Sequence, residues 1–331
     1  GEDAPVELRN NAYARSFEWV LGMYSYPAYG TFDPTAIMSI FYFLIFGLMF
    51  ADAGYGLLLV LCGFGGIRLL HPKPGMRNFL AMFGWCGFSS IVWGVLFGSY
   101  FGDFPLAFMN NMTSLAVIPD TLAVWFDPLQ NPMNFLILSL AVGAVHLIAG
   151  MAVQFYTLCR DKRTLDALFD IGSWWVLFAG IALLAIASPA GKWVALAGVL
   201  LLVLTQGRAQ KNPLMKLVKG VGSLYGLISY VSDLLSYSRI LALGLASAVI
   251  AQVVNILATL GGPSIGGFIA MVAVFVFGHV LNLAINVLGT FVHTSRLQYI
   301  EFFGKFFVDG GRPFRPLAPT EDYTYKLKQT K

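Results

Sequence analysis

Long apolar segments recur along the whole chain, and most of them contain almost no charged residues. A helix needs about 20 apolar residues to cross the hydrocarbon core of a bilayer. Of the 331 residues, 57% are hydrophobic and only 11% are charged, whereas about a quarter of the residues of a soluble domain are charged. The soluble enzyme classes are therefore poor candidates, and the sequence predicts an all-α integral membrane protein.

Eight transmembrane helices are predicted from these segments. The first two share the segment 34–67 and meet near Asp52, where Gly54 and Gly56 favour a tight reversal. The other six segments are 78–101, 133–158, 171–188, 193–207, 220–260 and 267–307. Segment 193–207 is short, whereas the last two are long enough to be tilted or to project from the bilayer.

More polar residues flank the predicted transmembrane domain, 34–308. In residues 1–33 the apolar side chains are spaced to form one stripe, made of Leu8, Tyr13, Phe17, Val20 and Leu21. Such a stripe is typical of an amphipathic helix lying at the membrane interface, which we expect here. Residues 309–331 are rich in proline and lysine and are predicted to form a solvated cytoplasmic tail.

Lysine and arginine are unevenly distributed among the predicted loops. One set of alternate loops, together with the tail, carries nearly all of them: Arg68, Lys73, Arg77, Arg160, Lys162, Arg163, Arg208, Lys211, Lys216, Lys219, Lys305, Arg312, Arg315, Lys326, Lys328 and Lys331. The other set holds Lys192 alone, and its longest loop, 102–132, has three aspartates and no lysine or arginine. Because cytoplasmic loops are enriched in these cations, we predict that both termini are cytoplasmic.

Two arginines interrupt the apolar pattern. Arg239 lies in the middle of the seventh segment, and Arg296 lies within the eighth. A central arginine costs about 2.5–3.5 kcal/mol on insertion scales, so it must face protein, water or a counter-ion. At about 100° per residue, Tyr225, Ser232, Ser236 and Arg239 share one helix face, within roughly 60° of one another. Asp233 lies about 120° from Arg239, which disfavours a salt bridge within this helix.

A polar stripe on the eighth helix accompanies these arginines. His279, Asn282, Asn286, His293 and Arg296 fall within an arc of about 100° and rise by about 25 Å, most of the depth of a bilayer. Such a stripe can line a hydrated ion path. The alternative is that these residues only form hydrogen bonds with neighbouring helices, as polar residues in membrane bundles also do. Five polar residues on one face, next to a helix that carries Arg239, favour the path.

Other kinds of site have little support in the sequence. The three cysteines have no paired spacing for a metal site or a disulfide framework. No Walker motif occurs, so the chain itself should not hydrolyse ATP. The net charge of +4 is spread over several loops, unlike a nucleic-acid-binding surface. We therefore predict no catalytic residue, metal or cofactor in this chain, and no nucleic-acid partner.

Three stretches resemble the membrane half of the a-subunit, or subunit I, of vacuolar/archaeal-type rotary ATPases. They are FGLMFADAGYG at 46–56, SYSRILALGLA at 236–246 and HTSRLQYIEFFGKF at 293–306. The resemblance implies an eight-helix membrane domain that is preceded in the family by a cytoplasmic stalk-binding domain, which we expect to be absent here. It also implies a stator beside a rotating ring of proteolipid subunits, with further stator and stalk subunits as partners.

In that family, two half-channels lead ions to and from a carboxylate on the ring. The resemblance implies that Arg239 is the essential arginine between the half-channels and that Arg296 is the second functional arginine, with His293 and Gln298 nearby. Glu301 belongs to the same motif. The candidate ion-translocation residues are therefore Arg239, Arg296, His293, Gln298, Asn286, Asn282, His279, Ser236, Ser232, Asp233, Tyr225 and Glu301. The implied function is translocation of protons or sodium ions, coupled to ATP synthesis or hydrolysis.

The chain departs from the eukaryotic members at three positions. Ser247 stands where they have a histidine, Asn286 stands where they have a glutamate, and Tyr225 replaces an upstream glutamate. The stretch 225–233 is closer to prokaryotic members, which implies a prokaryotic plasma membrane. The eukaryotic proton path therefore does not transfer residue by residue, and the choice between protons and sodium ions stays open.

Two other functions are compatible with the polar stripe. A secondary transporter could use it as a solute path, although the sequence shows no paired halves with interrupted helices. A scaffold could use the two arginines only to bind partner helices. Purification of the intact assembly separates the three hypotheses, because only a stator should be isolated with a ring of proteolipids.

Overall fold

A computed structural model describes residues 4–112, 121–186, 188–206 and 213–314, most of which are helical. The helices are α1 (Ala12–Arg15), α2 (Glu18–Tyr24), α3 (Thr35–Met49), α4 (Ala53–Leu70), α5 (Pro74–Phe97), α6 (Phe104–Met112), α7 (Pro132–Arg160), α8 (Thr164–Ala185), α9 (Gly191–Gln206), α10 (Pro213–Ser223), α11 (Gly226–Ser236), α12 (Ser238–Thr259) and α13 (Ile265–Lys305). The two-residue strands β1 (Pro5–Val6) and β2 (Arg312–Pro313) pair in parallel. The predicted loop cations Arg208 and Lys211, and the predicted tail from residue 315 onward, lie outside the described residues.

Within the described residues, six helical segments are long and apolar enough to cross a membrane. They are Ala53–Leu70, Pro74–Phe97, Pro132–Arg160, Thr164–Ala185, Val218–Thr259 and Ile265–Lys305. Helices α3 and α9 are apolar but have only 15 and 16 residues, about 22–24 Å at 1.5 Å per residue. A hydrocarbon core is about 30 Å thick. The chain is thus a helical membrane protein, and the count of eight spans stays a prediction.

The last two predicted segments are the longest in the described structure. Val218–Thr259 comprises α11, α12 and the end of α10 and has 42 residues, and Ile265–Lys305 has 41. Each is therefore about 60 Å long, roughly twice the thickness of the hydrocarbon core. Both are irregular along their length, and these irregularities lie next to the two arginines, as described below.

Asp52 shapes the reversal between α3 and α4. Its carboxylate accepts a hydrogen bond from Tyr55 N at 3.0 Å and so caps the start of α4. The same carboxylate accepts hydrogen bonds from Ser99 Oγ at 2.6 Å, Phe101 N at 3.0 Å and Gly102 N at 2.6 Å. Asp52 therefore joins the α3–α4 reversal to the loop after α5, in line with the glycine-rich reversal predicted at this position.

The apolar stripe of the amino-terminal segment packs inside the protein. The segment forms two short helices, α1 and α2, instead of one continuous helix. Phe17, Val20 and Leu21 are fully buried in a cluster with residues of α3 and α5, and the Tyr13 hydroxyl donates to the carbonyl oxygen of Ser39. The stripe thus stabilises the bundle through burial of apolar surface, and an interfacial position for residues 1–33 stays a prediction.

Successive long helices alternate in direction, which sorts the charged loops between the two ends of the bundle. We call one end the basic end, because it contains the last turn of α4 with Arg68, the α7–α8 loop with Lys162 and the end of α13 with Lys305. Here the Arg160 guanidinium also donates to the carbonyl oxygen of Gly30 at 2.5 Å. The opposite end contains the loop between α5 and α7, with Asp103 and Asp127, and is called the acidic end.

Candidate functional site

The helix that carries Arg239 is broken immediately before this residue. Helix α11 ends at Ser236 and α12 begins at Ser238, while Tyr237 N bonds to Leu234 O at 3.1 Å and Ile240 N bonds to Tyr237 O at 3.0 Å. These bonds have the spacing of a 3₁₀ turn, and such a turn inside a long helix often marks a hinge or a functional site.

The Tyr237 ring is fully buried at the break, against α7. A Cβ atom at Gly143 of α7 would lie only 2.4 Å from this ring, so a glycine is needed for the close approach. The position of the break therefore depends on a neighbouring helix.

The helix that carries Arg296 is irregular immediately after this residue. Residues Leu297–Phe302 form a π-helical turn, followed by a 3₁₀ turn at Phe303–Lys305. A π turn contains one extra residue, which rotates the following side chains by about 100° relative to an unbroken helix. Within this turn Gln298 and Glu301 are buried.

Arg239, Arg296, His293 and Glu301 form one cluster, which we call the arginine cluster. Arg239 lies within electrostatic range of Arg296 and Glu301, and His293 lies within range of both arginines. The Ser236 side chain lies close to the Glu301 carboxyl group. The cluster holds two arginines and one glutamate, so with His293 neutral it carries a net positive charge when Glu301 is ionised and favours a further negative charge nearby.

Several buried polar atoms of the arginine cluster have no hydrogen-bond partner among the described protein atoms. They are Arg239 Nη1, His293 Nδ1 and Glu301 Oε2. Burying a polar atom without a partner costs about 1–3 kcal/mol. The arrangement is therefore suited to water, an ion or a charged group of another chain.

The remaining residues of the predicted polar stripe belong to a second group, which we call the polar network. His279 is hydrogen-bonded through Nδ1 to Tyr55 Oη at 2.5 Å and through Nε2 to Asn255 Oδ1 at 2.9 Å. Asn282 Nδ2 donates to Tyr55 Oη at 2.8 Å, and Asn286 Nδ2 donates to Asn282 Oδ1. The stripe is thus divided between two environments, and its first three residues bond to neighbouring side chains.

The polar network continues toward the acidic end. Asn255 Nδ2 donates to Phe101 O at 2.8 Å and to Asp103 Oδ1 at 2.9 Å, and the Thr259 hydroxyl donates to Asn255 O at 2.9 Å. Tyr55 and Asn255 were not predicted as site residues. Tyr55 lies within the stretch 46–56 that resembles the family, whereas a single asparagine in an apolar segment gave no comparable signal.

Three predicted residues of α10–α11 lie apart from the buried part of the arginine cluster. Tyr225 is 75% exposed at the turn before α11, and Ser232 is exposed on α11. Asp233 Oδ2 forms an ion pair with Lys305 Nζ at 2.5 Å, and the same ammonium group lies 4.3 Å from the centre of the Tyr230 ring. Asp233 does not pair with Arg239, as the helical geometry predicts.

His146 of α7 contacts the break before Arg239. Its Nδ1 lies 2.8 Å from the Tyr237 hydroxyl, its ring stacks on Phe302, and Gln298 lies beside it. The His146 Nε2 atom and both side-chain polar atoms of Gln298 are buried without a hydrogen-bond partner in the described part of the chain. His146 therefore belongs to the same polar region as the arginine cluster, which its place in an apolar segment did not reveal.

The outer face of α12 and α13 is apolar and open. On α12 the residues that follow Arg239 on its own face, Ala242, Ala246 and Val249, are exposed. On α13 the exposed residues Ile285, Leu288 and Val292 precede Arg296, which is itself exposed. Large exposed apolar patches mark membrane or protein contacts. The arginine cluster thus opens onto a surface that lipid or partner helices can cover.

Comparison with known proteins identifies related sequences. The model of the V-type ATPase 116kDa subunit family matches residues 225–318, which include both arginines. The chain is 34% identical over 333 residues to the A-type ATP synthase subunit I of Pyrococcus horikoshii, covering 96% of this chain and 48% of that protein.

More distant relatives have similar names. The A-type ATP synthase subunit I of Methanocaldococcus jannaschii is 32% identical over 350 residues, covering 98% of this chain and 50% of that protein. The V-type ATP synthase subunit I 1 of Treponema pallidum is 27% identical over 323 residues, covering 91% of this chain and 50% of that protein. The chain spans about half the length of the curated relatives it matches. On the basis of the family match and these sequence identities, the chain belongs to the V-type ATPase 116kDa subunit family, as the three motifs predict.

Proposed function

We propose that this chain is the membrane part of the stator subunit of a V/A-type rotary ATPase, and that it conducts protons or sodium ions past a rotating ring of proteolipid subunits. The names of its relatives support the ATP synthase class. One observation carries the mechanism: the half-buried guanidinium of Arg239 lies near Arg296 and on an open apolar face. A fixed charge on a face that contacts only lipid is costly, whereas a subunit that works against a carboxylate on a moving ring needs a charge at that place.

The proposed mechanism depends on the charge of a carboxylate on the ring. In lipid this carboxylate is tolerable only when it is neutral, through protonation or ion binding. Beside Arg239 it ionises, because a neighbouring positive charge favours the charged form. Arginine stays protonated in proteins, so Arg239 itself does not relay protons. It releases the ion from each arriving carboxylate and blocks direct leakage between the two access routes.

We assign one access route to the polar network. Its hydrogen-bonded side chains run from Asn286 through Tyr55 and His279 to Asn255 and Asp103, toward the acidic end. Thermal opening of these bonds admits water along a path that is already polar. Each elementary charge that crosses the full membrane potential exchanges about 2.3 kcal/mol per 100 mV, so an unblocked leak uncouples transport from rotation.

The partners proposed for this chain follow from the same family. They are the proteolipid ring on the open face of α12 and α13, and other stator and stalk subunits of the ATPase. The arginine cluster supplies positive charge for the ring carboxylate, and the apolar face supplies a surface for the ring helices. We also propose that the basic end faces the cytoplasm of a prokaryotic cell, with both termini on that side.

The proposal is tested by substituting Arg239 in the complete complex, reconstituted into vesicles. Arg239→Ala is expected to abolish ATP-driven ion transport without loss of the subunit from the purified complex, because the fixed charge is lost. Arg239→Lys is a sharper variant, since a buried lysine can lose its proton and a guanidinium cannot. We expect Arg239→Lys to transport poorly as well.

The matched control is Arg68→Ala, which removes an exposed arginine at the basic end. It should transport at the wild-type rate. Near-normal pumping by Arg239→Ala would rule the proposal out. Parallel assays with sodium-free and sodium-containing buffers identify the transported ion in the wild-type complex.

A further inference from the structure

His146, Gln298 and Glu301 form a group of buried polar side chains between α7 and α13, which we call the inner chamber. All three side chains are at most 2% exposed. Four of their polar atoms, His146 Nε2, Gln298 Nε2 and Oε1, and Glu301 Oε2, lack a partner among the described protein atoms. The residues are neighbours: Gln298 lies beside His146, and the Tyr237 hydroxyl, 2.8 Å from His146 Nδ1, is within electrostatic range of Glu301.

Four unpaired polar atoms in one place destabilise the fold if the chamber contains no water. Each unpaired buried polar atom costs about 1–3 kcal/mol, whereas a buried water is stable where two to four polar groups can bind it. The chamber offers both donors and acceptors, so its polar atoms are suited to binding water. Phe302 stacks on the His146 ring and Phe41 packs against the same ring at a tilt, so this side of the chamber is apolar.

The inner chamber shares Glu301 with the arginine cluster and adjoins the basic end on its other side. On one side, Glu301 is within electrostatic range of Arg239. On the other side, Lys305 follows Glu301 by one helical turn and lines an open cleft of about 360 Å³, together with Arg160 and Thr31. Between chamber and cleft stands the ion pair of Lys305 with Asp233, and Asp233 is also within electrostatic range of Glu301.

We infer that the inner chamber is the access route from the basic end, with Glu301 as the carboxylate that exchanges the transported cation and the Lys305–Asp233 pair as its closure. This inference rests on the proposed function and assigns residues to its second route. If the cation is a proton, an O–H bond forms at Glu301 Oε2 as the O–H bond of a hydronium ion in the chamber breaks. The reverse step returns the proton to water beside Arg239, and no electrons are transferred.

Hydration of the chamber is tested by thiol labelling, which does not depend on transport. In the complete complex, with Cys62, Cys86 and Cys159 replaced by alanine, single cysteines are introduced as Gln298→Cys and Glu301→Cys. A small cationic methanethiosulfonate reagent is added from the basic end. A thiol in water reacts as its thiolate, which apolar burial suppresses, so labelling should be at least about tenfold faster than at a dry position.

The matched control is Leu297→Cys, since Leu297 is fully buried in the same π turn but lies in an apolar cluster. Equal labelling rates at positions 297, 298 and 301 would overturn the inference. Adding Lys305→Gln, which removes the ion pair with Asp233, should accelerate labelling of Glu301→Cys. An unchanged rate would show that this pair does not close the chamber.

The role of Glu301 is tested by ATP-driven transport. A positioned proton-transfer group contributes about 10²–10⁴-fold to a rate, so Glu301→Gln should slow transport at least about tenfold and Glu301→Asp should restore part of it. If Arg239→Ala is inactive but Glu301→Gln transports at the wild-type rate, the inference fails while the proposed function stands. If Arg239→Ala transports normally, the proposed function fails, and the labelling rates still report whether the chamber holds water.

Discussion

Asp52 shows how much a single buried side chain contributes to this fold. Its two carboxylate oxygens accept hydrogen bonds from three backbone N–H groups and one hydroxyl, on α4 and on the loop after α5. Hydrogen bonds to an ionised acceptor are about twice as strong as neutral ones. Asp52 thereby fixes the segment that carries Tyr55, which in turn orients His279 and Asn282 in the polar network.

Replacing Asp52 by asparagine is expected to destabilise the protein. One carboxylate oxygen becomes an NH₂ group, which faces backbone donors that then lack a partner. The expected loss in the free energy of unfolding is about 1–3 kcal/mol, measured by thermal denaturation of the detergent-solubilised complex. Asp161→Asn is the matched control, because the Asp161 side chain is 61% exposed and only 3.9 Å from Arg160, and such pairs contribute about 0–1 kcal/mol. Equal melting temperatures of the two variants would contradict the assigned role of Asp52.

Individual residues of the site differ in how far the sequence predicts them. Arg239 and Arg296 are conspicuous because a charge in an apolar segment is costly, and the cost itself points to a function. The residues that bond around them in the fold are not apparent from the neighbouring sequence. The bonds of His279 to Tyr55 and Asn255 join residues 224 and 24 positions apart, and the pairing of Asp233 with Lys305 joins different helices. Such partners depend on how the helices pack, which a single sequence does not reveal.

At the scale of helices, apolar runs predict where a helix lies but not where it is irregular. Each of the seven predicted apolar segments is largely helical in the described structure, although α3 and α9 are short. The break at Tyr237 and the π turn after Arg296 leave the apolar pattern unchanged, so hydropathy gives no sign of them. The amino-terminal stripe has the same spacing whether it faces lipid or protein, and the structure shows that it packs against the bundle.

The break before Arg239 leads to a prediction about α7. In Gly143→Ala, the new Cβ would lie 2.4 Å from the Tyr237 ring, so the ring and the break must shift. We expect a loss of about 1–3 kcal/mol from overpacking and slower ATP-driven transport, because Arg239 follows Tyr237 by two residues. Thermal denaturation and vesicle transport assays measure the two effects.

Gly266→Ala serves as the control for this substitution. No atom lies within 4 Å of the Cβ position at Gly266, and alanine favours a helix over glycine by up to about 1 kcal/mol. This variant should be as stable as the wild type or slightly more so, with unchanged transport. If Gly143→Ala behaves like Gly266→Ala, the α7 contact does not position the break.

For the whole molecule, the sorting of charged loops defines a direction. Helices of alternating direction bring Arg68, Lys162 and Lys305 to one end and Asp103 and Asp127 to the other. Cytoplasmic loops are enriched in lysine and arginine, so the basic end should face the cytoplasm. In the proposed mechanism, the inner chamber communicates with the cytoplasm and the polar network with the outside. The two proposed routes then leave the region of Arg239 in opposite directions, which is the arrangement that the proposed two half-channels require.

The orientation and the number of spans are tested by the same set of single cysteines in a background without Cys62, Cys86 and Cys159. Lys162→Cys should react with a membrane-impermeant maleimide only in inverted vesicles, and Gln130→Cys, in the loop before α7, only in right-side-out vesicles. The reverse pattern would contradict the orientation. Helix α9 has 16 residues, about 24 Å, so it crosses only where the bilayer thins or its polar ends reach the interface. If α9 crosses the membrane, Lys192→Cys reacts from outside and Lys219→Cys reacts from inside. Reaction of both cysteines from one side would show that α9 does not cross.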